Sequence, residues 1–597
     1  MKKRYLFLAA LLLLAALFVL TSCSDGTVSI TKQPESMTVS YPDGASFSVE
    51  VKNPKNVQSY QWYEEDKVGN VFELKGVTAK TPKLIIPSTE FENDVLKFYC
   101  VITDKNGNQI QSDVALLDMD NREEEKPVFY VGEYAVQPGE TLDLAEVDIG
   151  DGTKLGSGTV SYDANGTDIT ISNLDYDNTN MACDYVSAPN VGLSLLEYNP
   201  KGEEYNITFV GKNRINNTYF EPEYNAAGIP FDILFLGDEA AENAPVVNLI
   251  GDGTLEITNG TYALRAMGDL MVDIDITIRQ SRKNYGDGLV ARHMMIAEGH
   301  KLDLEVYGSA LRASGNLFIK GSELLINANA PHISMGIAVK NILQSNLMVN
   351  IEDSKIDIHA YTDPDICAGI AGYTAIMANG EMYITNSDVS YSVEAKANDD
   401  VYASNFIGLA ALNMDIDNSK VAISVDCEEI YSIFGIYADE YVLFEHSEAD
   451  ISLRASGMVY GIAPEGDFSS DCSKVAVDVG NYEKYGDYAC FGIMCGDFAV
   501  KAAKPEQKVA VHAENGMAMG CNLGDPQDDP AEYQEGYQPQ HFFLREGAEC
   551  LSPADYTINY GNVDQGDASY RYYIIVETVY SRTDTSKPVQ DVVFGIK

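Results

Sequence analysis

The stretch "FEHSEADISL", Phe444 to Leu453, decides the fold. It runs as an apolar residue, two polar residues, a serine, one more polar residue and then alternating apolar positions. The same skeleton stands at "IDNSKVAISV", Ile416 to Val425, and at "IEDSKIDIHA", Ile351 to Ala360. With the serine as marker the series is Ser322, Ser354, Ser387, Ser419, Ser447 and Ser473, at spacings of 32, 33, 32, 28 and 26. A second motif, glycine followed by an aliphatic residue, is interleaved with it at Gly336, Gly369, Gly408, Gly435, Gly461 and Gly492. Two motifs that keep phase over six units define a repeat array.

Within each unit the apolar spacing is two, as in Ile356 and Ile358, Val421 and Ile423, and Val475 and Val477. That is the period of strands and excludes helical repeats. A propeller blade needs about 40 residues and four strands. Marker spacings of 26 to 33 with about three short strands fit one turn of a parallel β-helix, in which each strand pairs with its counterpart one coil on. The marker serine is expected at a bend, with its hydroxyl serving the backbone there. The glycine is expected just ahead of the third strand, where backbones approach closely.

Looser alternation continues upstream in "GSGTVSYDANGTDITISN" (Gly156 to Asn173), "YNITFVGKNRI" (Tyr205 to Ile215) and "VVNLIGDGTLEITNGTYALRA" (Val246 to Ala266). With the GI units, these segments resemble parallel β-helix surface proteins of gut-type bacteria, a carbohydrate-binding and adhesin-like group. The resemblance spans roughly residues 130–525 and implies a right-handed parallel β-helix solenoid, placed at 128–524. Residues 525–597 break the period, and "SYRYYIIVETVYS" (Ser569 to Ser581) reads as a strong strand. An open sheet end needs covering, so this tail is expected to be a C-terminal β cap.

The N-terminus carries Lys2, Lys3 and Arg4, then an apolar run from Tyr5 to Leu20 and the tetrapeptide "LTSC" ending at Cys23. The run is short for a membrane span and suits a signal h-region. "LTSC" looks like a bacterial lipobox. That resemblance implies a signal peptide at 1–22, lipidation of Cys23 and a mature protein lipid-anchored to a bacterial membrane, at the cell surface outside the cytoplasmic membrane.

Residues 23–118 read as a separate all-β domain, with alternation in "SFSVEVKN", "SYQWYEE" and "LKFYCVITD". The segment resembles an immunoglobulin-like β-sandwich, with Trp62, the only tryptophan, on its third strand and Cys100 near its sixth. It departs from that pattern at Val49, where the first cysteine would stand, and at Phe98, where a corner tyrosine would stand. The core is therefore expected to rest on packing of Val49, Trp62 and Cys100. The polar run "MDNREEEKP" marks a linker at 119–127.

A net charge of −49 argues against nucleic acid as a partner. Nine cysteines besides Cys23 cannot all pair, and their spacing fits no zinc site. Most read as small buried hydrophobes. No HExxH, GxSxG or phosphate-binding loop is present. The densest basic patch of the array holds Arg265 and Arg312, each in "ALRA", with Arg292 and His293 in the coil between. One reading is a clamp on a carboxylated glycan; the preferred one is outward side chains balancing acids such as Glu298, Asp303 and Glu305. Asp148 with Asp151, Asp175 with Asp177, and Asp363 with Asp365 could each donate to a calcium ion, but they read first as turn formers. No cofactor is required, and Ca²⁺ is the one ion considered. Tyrosines near the GI strands, namely Tyr361, Tyr373, Tyr402, Tyr431, Tyr437 and Tyr460, would form a glycan platform if they share one outward face.

The expected function is non-catalytic binding of extracellular polysaccharide or of a host or neighbouring-cell surface. The alternatives are a polysaccharide lyase or glycoside hydrolase acting on acidic polysaccharide through the Arg265 and Arg312 face, and a structural surface stalk.

Overall fold

The computed structural model describes residues 27–39, 45–65, 71–74, 78–86, 96–119, 128–132, 134–147, 154–177, 193–196, 204–216, 231–236, 245–258, 262–280, 287–329, 337–362, 370–395, 403–428, 430–482, 490–522, 540–565, 572–584 and 588–597. The signal segment, Cys23 and most of the linker lie outside them. The described residues are all-β, with two single-turn 3-10 segments and no α-helix. The chain divides into two compact units, Met1–Glu125 and Lys126–Lys597.

In the first unit the long strands Val57–Glu65 and Leu96–Asp104 pair antiparallel, placing Trp62 directly opposite Cys100. Strand Ala115–Met119 extends that sheet and pairs on its other side, in parallel, with Met37–Val39. Val49, Trp62 and Cys100 are all buried. Phe47 joins them, stacked on Phe98 with ring centroids 5.1 Å apart. The indole N–H of Trp62 donates to the Thr81 carbonyl at 2.9 Å, so burying the ring leaves no unsatisfied donor.

The second unit is governed by one pairing rule. Strand Glu323–Asn329 pairs in parallel with Lys355–Thr362, and the series continues through Asp388–Ala395, Lys420–Cys427, Glu448–Ala455, Lys474–Asn481 and Val509–Glu514. Two other strand series run beside it, each strand again pairing with its counterpart one repeat on. One contains Val349–Glu352 and Glu381–Thr385, the other Leu311–Ala313 and Ile337–Ser345. We call these the first sheet (Val349–Glu352 series), the second sheet (Lys355–Thr362 series) and the third sheet (Leu311–Ala313 series). A large, mostly parallel, nearly closed sheet compatible with a β-helix results, with three strands to a rung.

Alternation sorts the side chains. Lys420–Cys427 alternates strictly between exposed and buried positions. Its inward Ile423 continues a register-matched ladder of Ile326, Ile358, Tyr391, Ile423, Ile451, Val477 and Val511, none more than 3% exposed. Each such side chain contributes roughly 1.5–3 kcal/mol by leaving water.

The repeated serine sits where the first sheet turns into the second. The residue before it is left-handed in every unit: Gly321, Asp353, Asn386, Asn418, His446 and Cys472 have φ between 46° and 57°. Such a residue reverses the chain within one position but breaks the local hydrogen-bond ladder. The serine repairs it. The backbone N–H of Ser322, Ser354, Ser387, Ser419 and Ser447 each donates to the Oγ of the next marker serine, at 2.9–3.2 Å. Each of those acceptor hydroxyls donates in turn to the carbonyl two residues before it, at 2.7–3.0 Å.

Three sequence expectations are corrected. Gly408 and Gly435 lie inside the long strands Ala403–Asp417 and Ile430–Glu445, not ahead of a strand. A Cβ on Gly435 would run into the carbonyl of Gly461 and come within 2.8 Å of Ile451 Cγ2, so glycine is needed where facing sheets close on each other. The segment Gly156 to Asn173 is an antiparallel hairpin, not a coil. Asp163 Oδ1 accepts the N–H groups of Gly166, Thr167 and Asp168, each at 2.9 Å, and so tight a turn returns the chain antiparallel. In the tail, Phe542–Arg545 still pairs in parallel with Phe498–Lys501. Only beyond it do Tyr572–Ser581 and Asp591–Gly595 pair antiparallel with Met517–Asn522 and Val509–Glu514. Residues 523–539 lie outside the described residues.

Replacing Ser447 by alanine leaves the Ser419 N–H without its acceptor inside a buried bend. The expected loss is about 1–3 kcal/mol of unfolding free energy, measured by urea denaturation. Alanine at the outward Ser452 should change it by less than about 0.5 kcal/mol.

Candidate binding surface

The third sheet places Arg265, Arg312 and Tyr437 on one outward ladder, while Arg292 lies just past the strand Leu289–Ala291. Arg265 pairs with Val290, which pairs with Arg312, and the register continues through Gln344, Met377, Ala410 and Tyr437. At about 4.8 Å per rung, Arg312 stands about 10 Å from Arg265, and Tyr437 stands about 19 Å beyond Arg312. The alignment of Arg265 with Arg312 is visible in the repeated "ALRA". That Tyr437 shares the ladder is visible only once loop insertions are removed by strand pairing.

Two of the arginines are internally neutralised. Arg292 makes a two-pronged contact with Asp269, Nε to Oδ1 at 2.8 Å and Nη2 to Oδ2 at 3.1 Å. That hydrogen bonding pushes the guanidinium pKa further up. Arg312 Nη1 lies 3.1 Å from Asp287 Oδ2. Asp287 is buried, and its other oxygen accepts the Ser309 N–H at 2.9 Å. Arg265 is half-buried and also has an interaction partner. His293 serves the fold: its Nδ1 accepts the Asn316 N–H at 2.9 Å. The partner acids are thus Asp269 and Asp287, while Asp303 is held by Arg279 at 2.7 Å.

Tyr437 is half-buried. Its hydroxyl donates to Glu465 Oε1 at 2.8 Å, and its ring stands edge-on to Phe434 with centroids 5.8 Å apart. Burial, with Glu465 and Asp439 adding to it, pushes the phenol pKa up. Tyr460 is not an open platform. It lies between Phe434 and Phe491, at 4.8 and 5.2 Å, in an apolar cluster with Met494, Met517 and Val576 of the C-terminal strand. Tyr361 is half-buried. Tyr402 and the side chains of Tyr373 and Tyr431 lie outside the described residues.

Of the acidic pairs considered for calcium, Asp175 with Asp177 lies among the described residues, and both carboxylates have other partners. Asp175 is held by Arg214 Nε at 2.7 Å, and Asp177 accepts Asn216 Nδ2 at 2.9 Å. Asp148, Asp151, Asp363 and Asp365 lie outside the described residues. Among the described residues no three His, Cys, Asp or Glu side chains converge as a metal centre. Seven cysteines are described and all are free, six of them buried; burial pushes the thiols of Cys100 and Cys490 up to about 12. Cys183 and Cys367 lie outside the described residues. A shallow groove of about 470 Å³ follows the serine bend from Gly299 to Asp388, lined by His300, Lys301, Asp353 and Lys355.

A second constellation escaped the sequence reading. On the outward face of the first sheet, Glu381 pairs with Asn413 and Tyr383 with Asp415, and Tyr441 flanks Asn413 on the next rung. The only sequence signal is the alternation in "EMYIT", "NMDID" and "YVLFE", which becomes a cluster only once register is known.

No protein-family model matches this chain, and no curated protein matches it. Among solved structures, titin domain M4 is similar at 21% identity, over 16% of this chain and 99% of that one, with a TM-score of 0.13. Extracellular domains 3–5 of Drosophila OTK align at 13% identity over 24% and 60% of the two chains, with a TM-score of 0.13. A pectate lyase of Pectobacterium carotovorum aligns at 9% identity over 87% of this chain and 97% of its own, with a TM-score of 0.11. At these scores no argument about this chain rests on the likenesses.

Arg312→Ala should strand the Asp287 carboxylate. Because the guanidinium is half exposed, the expected cost is only about 1 kcal/mol of stability, checked by urea denaturation of the variant beside Asp287→Asn/Arg312→Ala, which should recover most of the loss.

Proposed function

We propose that this chain is a lipid-anchored bacterial surface protein, whose second unit is a right-handed parallel β-helix that binds extracellular glycan, or a host or neighbouring-cell surface, without catalysis. The first unit would be an immunoglobulin-like module between anchor and solenoid. The supporting observation is the outward ladder from Arg265 to Tyr437, which repeats one surface position at a fixed spacing over successive rungs. A regular row of side chains on a packed scaffold suits a repeating ligand, since the scaffold pays little ordering cost on binding.

The lyase reading finds less support. An arginine acting as base has to give up its proton to solvent and take one from the substrate. Arg292 and Arg312 are each engaged by a carboxylate, and for Arg292 that hydrogen bonding pushes the pKa further up. The anchor reading rests on Lys2, Lys3, Arg4 and the "LTSC" sequence; no helix among the described residues is long and apolar enough to cross a membrane.

Two experiments test the proposal. Metabolic labelling with an alkyne fatty acid should mark the full chain and fail to mark Cys23→Ala. On a glycan array, the mature chain should bind at least one polysaccharide class without releasing reducing-end or unsaturated products, and Arg265→Ala/Tyr437→Ala should weaken binding roughly tenfold or more. Absence of any ligand, or turnover of an acidic glycan, would overturn the binding role.

A further inference from the structure

Four shielded carboxylates among the described residues each have a compensating partner. Asp287 has Arg312 and a backbone N–H. Glu577, fully buried, accepts the N–H groups of Gln540 and His541, each at 2.9 Å. Asp163 takes four backbone N–H groups. Asp471 leaves one shielded oxygen open, but its other oxygen holds Lys501 at 3.3 Å.

The cluster on the first sheet breaks this pattern. Asp415 Oδ1 is shielded from solvent and has no partner. Its Oδ2 has only a long contact, 3.3 Å, with the Tyr441 hydroxyl. Two residues earlier on the same face, Asn413 is 8% exposed. Its Nδ2 donates to Glu381 Oε1 at 3.1 Å, which leaves its carbonyl oxygen, also shielded, without a donor. The groups acting on Asp415 are burial, Tyr441 and the like charge of Glu381, and no cationic side chain is among them. Burial, with the like charge of Glu381 adding to it, raises its pKa against the hydrogen bond from Tyr441.

Two carboxylates and an amide thus share the outward face of two adjacent rungs, with two oxygens closed off from water and nothing to donate to them. Oxygen donors of this kind select a hard cation. We propose that Glu381, Asn413 and Asp415 form a site for a divalent cation of the calcium type, on the outward face of the first sheet. With only two carboxylates, the site belongs with the weaker extracellular class, at a Kd of about 0.1–1 mM. Bound there, the ion would cross-link strands Glu381–Thr385 and Ala403–Asp417 through side chains, as the salt bridges do elsewhere on the surface.

The test uses the mature chain stripped with a chelator. Millimolar Ca²⁺ should raise its melting temperature, and Tb³⁺ should give emission sensitised by Tyr383 and Tyr441. Asp415→Asn should melt higher than the parent in chelator, because an unpaired charge is gone, and its Ca²⁺ affinity should fall roughly tenfold or more. Asp450→Asn, an exposed acid on the second sheet, should respond to Ca²⁺ and Tb³⁺ like the parent. A parent chain indifferent to Ca²⁺ overturns the site. So does an equal response from the parent and Asp415→Asn, which would mean that the ions merely screen a chain of net charge −49.

Discussion

The second unit depends on one bend. A left-handed residue followed by serine turns the first sheet into the second, and the serine hydroxyl accepts the N–H that the turn would otherwise orphan. A buried backbone donor without a partner costs about as much as the net gain from several good hydrogen bonds. A coil that repeats the same corner must therefore solve this problem at every rung. Chaining each serine N–H to the next serine hydroxyl solves it collectively, which explains why the serine recurs while its neighbours drift among Glu, Asn, Lys and Asp.

Once the corner is fixed, strand alternation does the rest. Inward positions need only be apolar and of suitable size, so Ile, Val and one tyrosine follow one another down a second-sheet column and Val, Met and Phe down a first-sheet column. Glycine is demanded where a facing aliphatic leaves no room for a Cβ, as Ile451 does at Gly435. Outward positions are free to vary. Much of that freedom goes into pairing acids with bases one or two rungs away, as in Arg292 with Asp269 and Lys501 with Asp471. Arg292 and Arg312 thereby become part of the surface's internal charge balance. The ladder geometry on which the proposed glycan binding rests is independent of that charge.

The corner was legible because its requirement is local: three adjacent residues carry it, and it repeats. The strand period was legible for the same reason. The handedness of the residue before the serine was hidden, since Gly, Asp, Asn, His and Cys share no obvious class; only a backbone need unites them. The antiparallel start of the second unit was missed because alternation does not report direction, and the Asp163 turn that sets it looks like any other polar loop. Site residues were legible only in part. Arg265 and Arg312 declare their equivalence through "ALRA", but Asp269 and Asp287, the acids that hold Arg292 and Arg312, sit at no fixed offset from them. The Glu381, Asn413 and Asp415 cluster is assembled across strands about thirty residues apart, so register had to be known first.

The central claim is that residues far apart in sequence are stacked at one rung spacing, and distances between nitroxide labels on outward second-sheet positions test it most directly. Thr277, Ala422, Ala476 and Ala510 occupy one register column. From Thr277, the separations are expected to rise in proportion to rung count, to about 24, 34 and 38 Å for five, seven and eight rungs. Separations that depart from these values by more than about one rung, or that fail to increase in that order, would contradict the stacked coil.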